Sequence, residues 1–246
     1  MISGDDSGVR PELPRSTHRL VKTILHRPPK PDAIYVAVLV AGIVALVSVC
    51  GWQWPRFGEL LPVSRISVFE EHQWWRPWTA CFAHADVGHL VSNLFLFVIF
   101  ARFLGGHFGF WLFPFWIFFL GGLANLVVLP SYEPEVRVLG ASGVVNVLGG
   151  VWLSLYFFIS RQYRFAGRAL RTIGVGLLLF APQEFRPQVA ERVHMAGLFW
   201  GLAFGAIWFQ VFKKEIRSFE VWEPLPVDDP LDDLPPPEGF SDGAKD

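Results

Sequence analysis

Cysteine is nearly absent from this chain: its 246 residues carry two, Cys50 and Cys81. Two thiols cannot build a metal cluster, and no disulfide is expected, because Cys50 falls in or at the end of an apolar run. Charge is missing wherever the chain is most apolar, and a soluble domain does not sustain such uncharged runs. No cleavable leader is expected either. The N-terminus is polar and proline-containing through Asp32, so the first apolar run is expected to act as its own insertion signal. Basic residues form no single stripe but flank the apolar runs, which argues against a nucleic-acid partner. No internal repeat is evident.

What the chain has is apolar and aromatic bulk: 52% hydrophobic and 16% aromatic, with 24 Phe and 11 Trp. A helix needs about 20 apolar residues to cross a bilayer. The sequence predicts six such spans: Ala33–Trp54, Val87–Leu104 closed by Gly105-Gly106, Phe108–Leu129 closed by Pro130, Leu139–Ile159, a short Thr172–Pro182, and Val193–Phe212. The connection over residues 55–86 holds Phe57, Phe69, Trp74, Trp75, Trp78 and Phe82. A loop so long and aromatic is expected to pack on or into the membrane. Three regions follow: a basic tail over 1–32, a membrane domain over 33–212, and an acidic, proline-rich tail over 213–246, expected to be disordered. Arg19–Arg27 could form a short basic turn at the membrane surface, or simply belong to a solvated tail.

With six spans both chain ends share one side. That side carries 15 Lys and Arg against 6 on the other, which puts both termini in the cytoplasm. The long loop and the starts of the fourth and sixth spans then face outward. Those two starts carry the residues of greatest chemical interest.

Gly140-Ala141-Ser142-Gly143 opens the fourth span. His194-x-x-Gly197-x-x-x-Gly201-x-x-x-Gly205 lies in the sixth. Glycines at that spacing share one helix face and admit a second backbone. The expectation is that these two helices pack, with Gly140, Gly143, Gly197, Gly201 and Gly205 at the contact, and that His194 reaches Ser142. A serine becomes a nucleophile only when a base takes its proton. A histidine in a bilayer is costly, and it lines a site, a cavity or a proton path. Ser142 could equally be a packing residue, and His194 could serve an interhelical bond, a metal or a proton relay. In the second span His89 and Asn93 stand four apart on one face. With the Ser142 amide they could hold a developing oxyanion. The open alternatives for His84, His89 and Asn93 are interhelical hydrogen bonding or, with His72, a metal; their spacing fits no zinc signature. Arg76 is suited to bind several loop carbonyls and Trp75 to anchor at the interface. Lipid-headgroup contact is the other reading of that pair.

Taken together these residues resemble the rhomboid family of intramembrane serine proteases. Trp75-Arg76 is similar to the family's first-loop signature, and His84 followed by His89-x-x-x-Asn93 to its second-helix signature. Gly140-x-Ser142-Gly143 is similar to the nucleophile motif, and His194-x-x-Gly197-x-x-x-Gly201 to the sixth-helix motif. The resemblance covers roughly 33–212. It implies an all-α membrane protein with a six-transmembrane-helix bundle and a long membrane-associated first loop. It also implies Ser142 as nucleophile and His194 as base, with His89, Asn93 and the Ser142 amide as oxyanion hole. Trp75, Arg76 and His84 would shape the first loop, and the fifth segment with Gln183–Ala190 would resemble a gate and cap. No cofactor or metal is implied. The implied partners are transmembrane proteins, cut within or near the membrane, and the lipid bilayer.

Two departures stand out. Many members carry an aromatic residue four positions after the serine, where this chain has Asn146; Asn146 could bond to His194 or hold a water. Gln73 stands where some members have Glu, a difference that reads as minor. The rival reading is a proteolytically inactive rhomboid-like protein that binds client helices, although such relatives generally lack the serine or the histidine. A channel or transporter is disfavoured because no path of intramembrane charge is present; Arg102 lies near the end of its span, where it can snorkel. Short loops favour a bacterial inner membrane.

Overall fold

The computed structural model describes residues 18–180 and 189–225. The chain is helical and built from the bilayer's demand that every backbone group be paired internally. The long helices are α1 (Ala33–Gln53), α4 (Val87–Phe108), α5 (Ile117–Val128), α6 (Ser142–Ile159), α7 (Phe165–Phe180) and α8 (Val189–Val211). Short helices α2 (Pro55–Gly58), α3 (Arg76–Thr79) and α9 (Lys213–Arg217), strands β1 (His18–Lys22) and β2 (Val221–Pro224), and several short helical turns join them.

Among the described residues five segments are long and apolar enough to cross a membrane: α1, α4, Trp111–Ser131 (which contains α5), α6 and the Glu191–Val211 part of α8. At 16 residues α7 is shorter than these. It begins before the expected Thr172, and Pro182 lies outside the described residues.

Helix α1 shows how the bundle is sorted. It buries Ala33, Ala37, Ala41, Val44 and Ser48, a stripe of small side chains against α4, while Tyr35, Leu39 and Leu46 are exposed on the apolar outside. Small residues let helices approach where lipid offers no hydrophobic drive. Pro55 then bars helical geometry for Trp54, which sits at φ −117°, ψ 93° and ends the helix. Helix α6 is the axis of the molecule. Residues 143–151 are buried without a break, and α4, α5, α7 and α8 all pack on it.

Several boundaries differ from expectation. The second span does not close at Gly105-Gly106; α4 runs on to Phe108 and ends at Gly109, whose φ of +87° is the left-handed stop. Gly106 instead admits a neighbour, because a Cβ there would meet Pro29 Cβ at 2.5 Å. The third span is interrupted by a wide turn over Trp111–Trp116 around Pro114. The fourth begins at Ser142, with residues 139–141 outside the helix.

The tail boundaries also shift. β1 pairs antiparallel with β2, His18 facing Pro224 and Leu20 facing Trp222. Ile24 and Ile216 enter the main core, and Arg161 pairs with Glu220 at 3.2 Å. Residues 213–225 thus carry α9 and β2, and 18–32 carries β1 and the turn over Ile24–His26. The rest of both tails lies outside the described residues.

The connection over 55–86 folds into short turns that rest on α5. Trp78 Nε1 donates to Phe119 O at 3.1 Å and its indole covers Gly122. Asn125 Nδ2 donates to Pro77 O at 2.8 Å. Val63 and Val138 exchange backbone bonds of 2.9 and 2.8 Å, tying this connection to the strand-like approach to α6. A second, smaller core gathers there around Val63, Val68, Ala80, Leu129, Val138 and Val193.

Candidate active site

The approach to Ser142 is fixed before the helix begins. Gly140 takes φ +130°, a conformation that favours glycine, and its N–H donates to Ala80 O at 3.0 Å. A Cβ at Gly140 would meet His89 Cε1 at 2.8 Å. This glycine therefore does not pack helix on helix, as the sequence suggested. It makes room for the His89 ring beside the start of α6. Ser142 is the first residue of α6 and half-buried.

His84 holds the next amide. Its Nε2 accepts from Ala141 N–H at 3.1 Å, and its Nδ1 lies 3.1 Å from Ser48 Oγ. Ser48 Oγ donates to Val44 O at 2.9 Å, which leaves it to accept the Nδ1 proton. One neutral tautomer satisfies the whole chain from α1 through His84 to the backbone before Ser142. Burial pushes the His84 pKa down to about 4, with the neighbouring His89 adding to the shift. The two rings meet edge-on at 5.0 Å.

His89 and Asn93 stand one turn apart on α4. Asp86 caps that helix, its Oδ1 accepting from His89 N–H at 2.8 Å. Asn93 is buried and its Nδ2 donates to His89 O at 2.9 Å. That bond uses one of its two amide hydrogens.

The other wall is α8. A Cβ at Gly197 would meet Gly143 O at 2.5 Å, one at Gly143 would meet Val193 Cγ1 at 2.8 Å, and one at Gly205 would meet Ser154 Cβ at 2.8 Å. A Cβ at Gly201 would fall against Val147 O. The glycines at 143, 197, 201 and 205 thus lie in one seam where the backbones of α6 and α8 touch. His194 follows Val193 at the Ser142 end of that seam. Its Nε2 is buried and, among the described residues, has no hydrogen-bond partner. No hydrogen bond joins Ser142 Oγ to His194 among the described residues. Buried polar atoms are nearly always paired, so this idle ring nitrogen is a polar atom left open to a partner. Asn146 is directed elsewhere than expected: its Nδ2 donates to Ser142 O at 2.9 Å.

Arg76 is buried within the connection between α1 and α4. Its Nη1 donates to Glu59 O at 3.1 Å and Pro62 O at 2.9 Å, and its Nε donates to Gln73 Oε1. Burial lowers its pKa, against the pull of Glu71. Gln73 is therefore not a minor position but the third partner of this guanidinium. Trp75 is 60% exposed; the indole that packs is that of Trp78. Among the described residues no group of three or more His, Cys, Asp or Glu could hold a metal ion. The Gln183–Ala190 loop falls almost wholly outside the described residues.

Sequence reasoning missed Ser48 and Asn125. Each is a lone polar residue in an apolar run, which is the available signal, since a bilayer helix does not keep an amide or hydroxyl on its lipid face without cost. Asn125 also lies 3.4 Å from Cys81 Sγ.

Among curated proteins no sequence matches this chain. Residues 71–211, from the first connection through the last long helix, match the family model of the Rhomboid domain. That match spans more than half of the sequence, and with five apolar helices able to cross a membrane, the chain belongs to the rhomboid family.

Proposed function

We propose that this protein is an intramembrane serine endopeptidase that cuts transmembrane or juxtamembrane segments of other membrane proteins. The observation that carries the reading is the glycine seam of α6 and α8, with the open His194 Nε2 at its Ser142 end. In this reading α7 is a sixth, short membrane helix. The charge bias puts both termini in the cytoplasm, of a bacterium by preference, and Ser142 toward the outer face.

Ser142 Oγ attacks the carbonyl carbon of the scissile peptide while His194 Nε2 takes its proton. The carbonyl oxygen becomes an anion, held by the Ser142 N–H, the His89 ring and the free amide hydrogen of Asn93. The intermediate collapses, the C–N bond breaks, and His194 returns the proton to the leaving amine. A water then loses its proton to His194, attacks the acyl-enzyme, and frees the serine. The absence of a ready-made serine–histidine bond is compatible with this sequence, because such bonds are often long until substrate binds. Trp75, Arg76 and His84 touch no reacting atom in this scheme; His84 holds the Ala141 amide just before Ser142, and Arg76 holds carbonyls of the first connection.

The test is cleavage of a transmembrane reporter by the protein reconstituted in vesicles. Wild type cuts it, and Ser142→Ala and His194→Ala do not. Undiminished cutting by Ser142→Ala would overturn the assignment. A folded wild type that binds the reporter helix without cutting it would support the helix-binding alternative.

A further inference from the structure

A recess of about 300 Å³ opens at the end of the bundle opposite Ser142. Three parts of the chain wall it: the segment before α1, the ends of α4 and α6, and the turn that follows α6. Its lining is graded along the helices. On α4, Phe103 lines it one turn deeper than His107. On α6, Trp152, Tyr156 and Ser160 line it at successive turns toward the helix end. The lining therefore passes from hydrocarbon-like at membrane depth, where Phe103 and Trp152 face each other at 5.6 Å, to hydroxyl and imidazole at the surface.

The outer rim is cationic and rich in donors. Arg27 lines it, with its guanidinium 4.8 Å from the Phe219 ring centre and its side chain otherwise exposed. His26 Nδ1 accepts from Thr23 N–H at 3.1 Å, which places the proton of the neutral ring on Nε2 as a donor. His107 turns Nδ1 to Phe103 O at 2.8 Å and Nε2 to Arg27 O at 3.1 Å. Both partners are carbonyl oxygens, so the ring ties the Arg27 backbone to α4. Gln162, also on the lining, has a buried Oε1 without a hydrogen-bond partner among the described residues. An amide can be turned to present its NH₂ in that place. Among the described residues no carboxylate lines the recess.

We propose that this recess is a binding site for a membrane phospholipid, with the phosphate at the Arg27, His26 and Gln162 rim and the first acyl carbons along Phe103 and Trp152. A soluble anion would use the rim and leave the aromatic depth idle, whereas a phospholipid uses both. Basic recesses between membrane helices are established receptors for anionic headgroups. The walls are rigid enough to be specific: Lys30 N–H donates to Gly106 O at 3.1 Å, and Pro29 packs on Gly106, so the segment carrying Arg27 is fastened to α4.

The test is native mass spectrometry of the full chain in detergent, titrated with dioleoylphosphatidylglycerol. Wild type retains one lipid above the non-specific background. Arg27→Gln weakens that retention about fivefold, the effect of one interfacial cation, while Arg65→Gln, at an exposed position in the connection between α1 and α4, leaves it unchanged. If Arg27→Gln lowers the melting temperature, Arg27→Lys decides the matter: with the charge kept it must hold the lipid, and loss of the lipid in a folded Arg27→Lys overturns the proposal. Equal retention by wild type and folded Arg27→Gln overturns it too. Displacement of the lipid by millimolar inorganic phosphate overturns the lipid assignment in favour of a free-phosphate site.

Discussion

Gly197→Ala tests the packing of α6 on α8 quantitatively. The added Cβ would stand 2.5 Å from Gly143 O, and ordinary contact begins near 3.4 Å, so the backbones must part by about 0.9 Å locally. The obstacles are backbone and a Cβ fixed to backbone, with Gly143 C at 3.3 Å and Asn146 Cβ at 3.2 Å behind the carbonyl oxygen, so no rotamer change relieves the contact. Overpacking of this kind costs about 1–3 kcal/mol. The gain in helix propensity from glycine to alanine returns about 1 kcal/mol. The net expectation is a loss of up to about 2 kcal/mol. The functional effect is larger, because His194 lies one turn before Gly197 and moves with it; a shift near 1 Å in a reacting pair costs about 10²-fold in rate. Gly42→Ala is the control. A Cβ at Gly42 meets nothing within 4 Å, and alanine in a helix interior gains about 0.5–1 kcal/mol. The assay is thermal unfolding in detergent together with the initial rate of fluorophosphonate labelling. Labelling of Gly197→Ala at the wild-type rate, with an unchanged melting temperature, would refute the seam as the device that sets the pair.

Three further outcomes are expected. Ser48→Ala removes the acceptor of the His84 Nδ1 proton, so the protein should lose about 1–2 kcal/mol and label more slowly; an unaltered melting temperature would contradict the relay to Ala141. The folded His84 pKa of about 4 lies below its unfolded value, so the unfolded chain binds more protons between pH 6.5 and 4. Stability is therefore full above pH 6.5 and falls by up to about 3 kcal/mol as pH drops to 4; His84→Gln should flatten that fall in pH-dependent unfolding. Cys81 is buried, its thiol pushed up to about 12, so it should resist iodoacetamide at pH 8 until the protein is denatured, and rapid modification of the folded protein would contradict its place beside Asn125.

The long helices are legible in the sequence because a bilayer leaves an uncharged run of about 20 residues little choice. Their ends are less so. Gly105-Gly106 reads as a helix stop, yet both residues stay in α4 because the glycine is spent on contact with Pro29. The wide turn at Trp111–Trp116 hides inside an apolar run that hydropathy cannot divide. The β1–β2 pair joins segments about 200 residues apart, and no local pattern announces such a pairing. At the site, the glycine spacing of α8 foretells its contact with α6, since a periodicity of four defines a helix face. Ser48, by contrast, acts through His84 on a backbone amide nearly a hundred residues away. Gly140 reads as a packing residue, but its role is to take a positive φ that brings His89 close. Asn146 could not be placed from sequence, because its choice of the Ser142 carbonyl over His194 depends on one rotamer.

The most direct measurement is intact-mass and peptide mapping of the purified protein after reaction with a fluorophosphonate probe, for wild type and for Ser142→Ala and His194→Ala. The account predicts a single adduct on Ser142 in wild type and none in either folded variant. A folded wild type that takes no adduct, or an adduct on Ser142 that forms equally fast without His194, would contradict an activated serine–histidine pair.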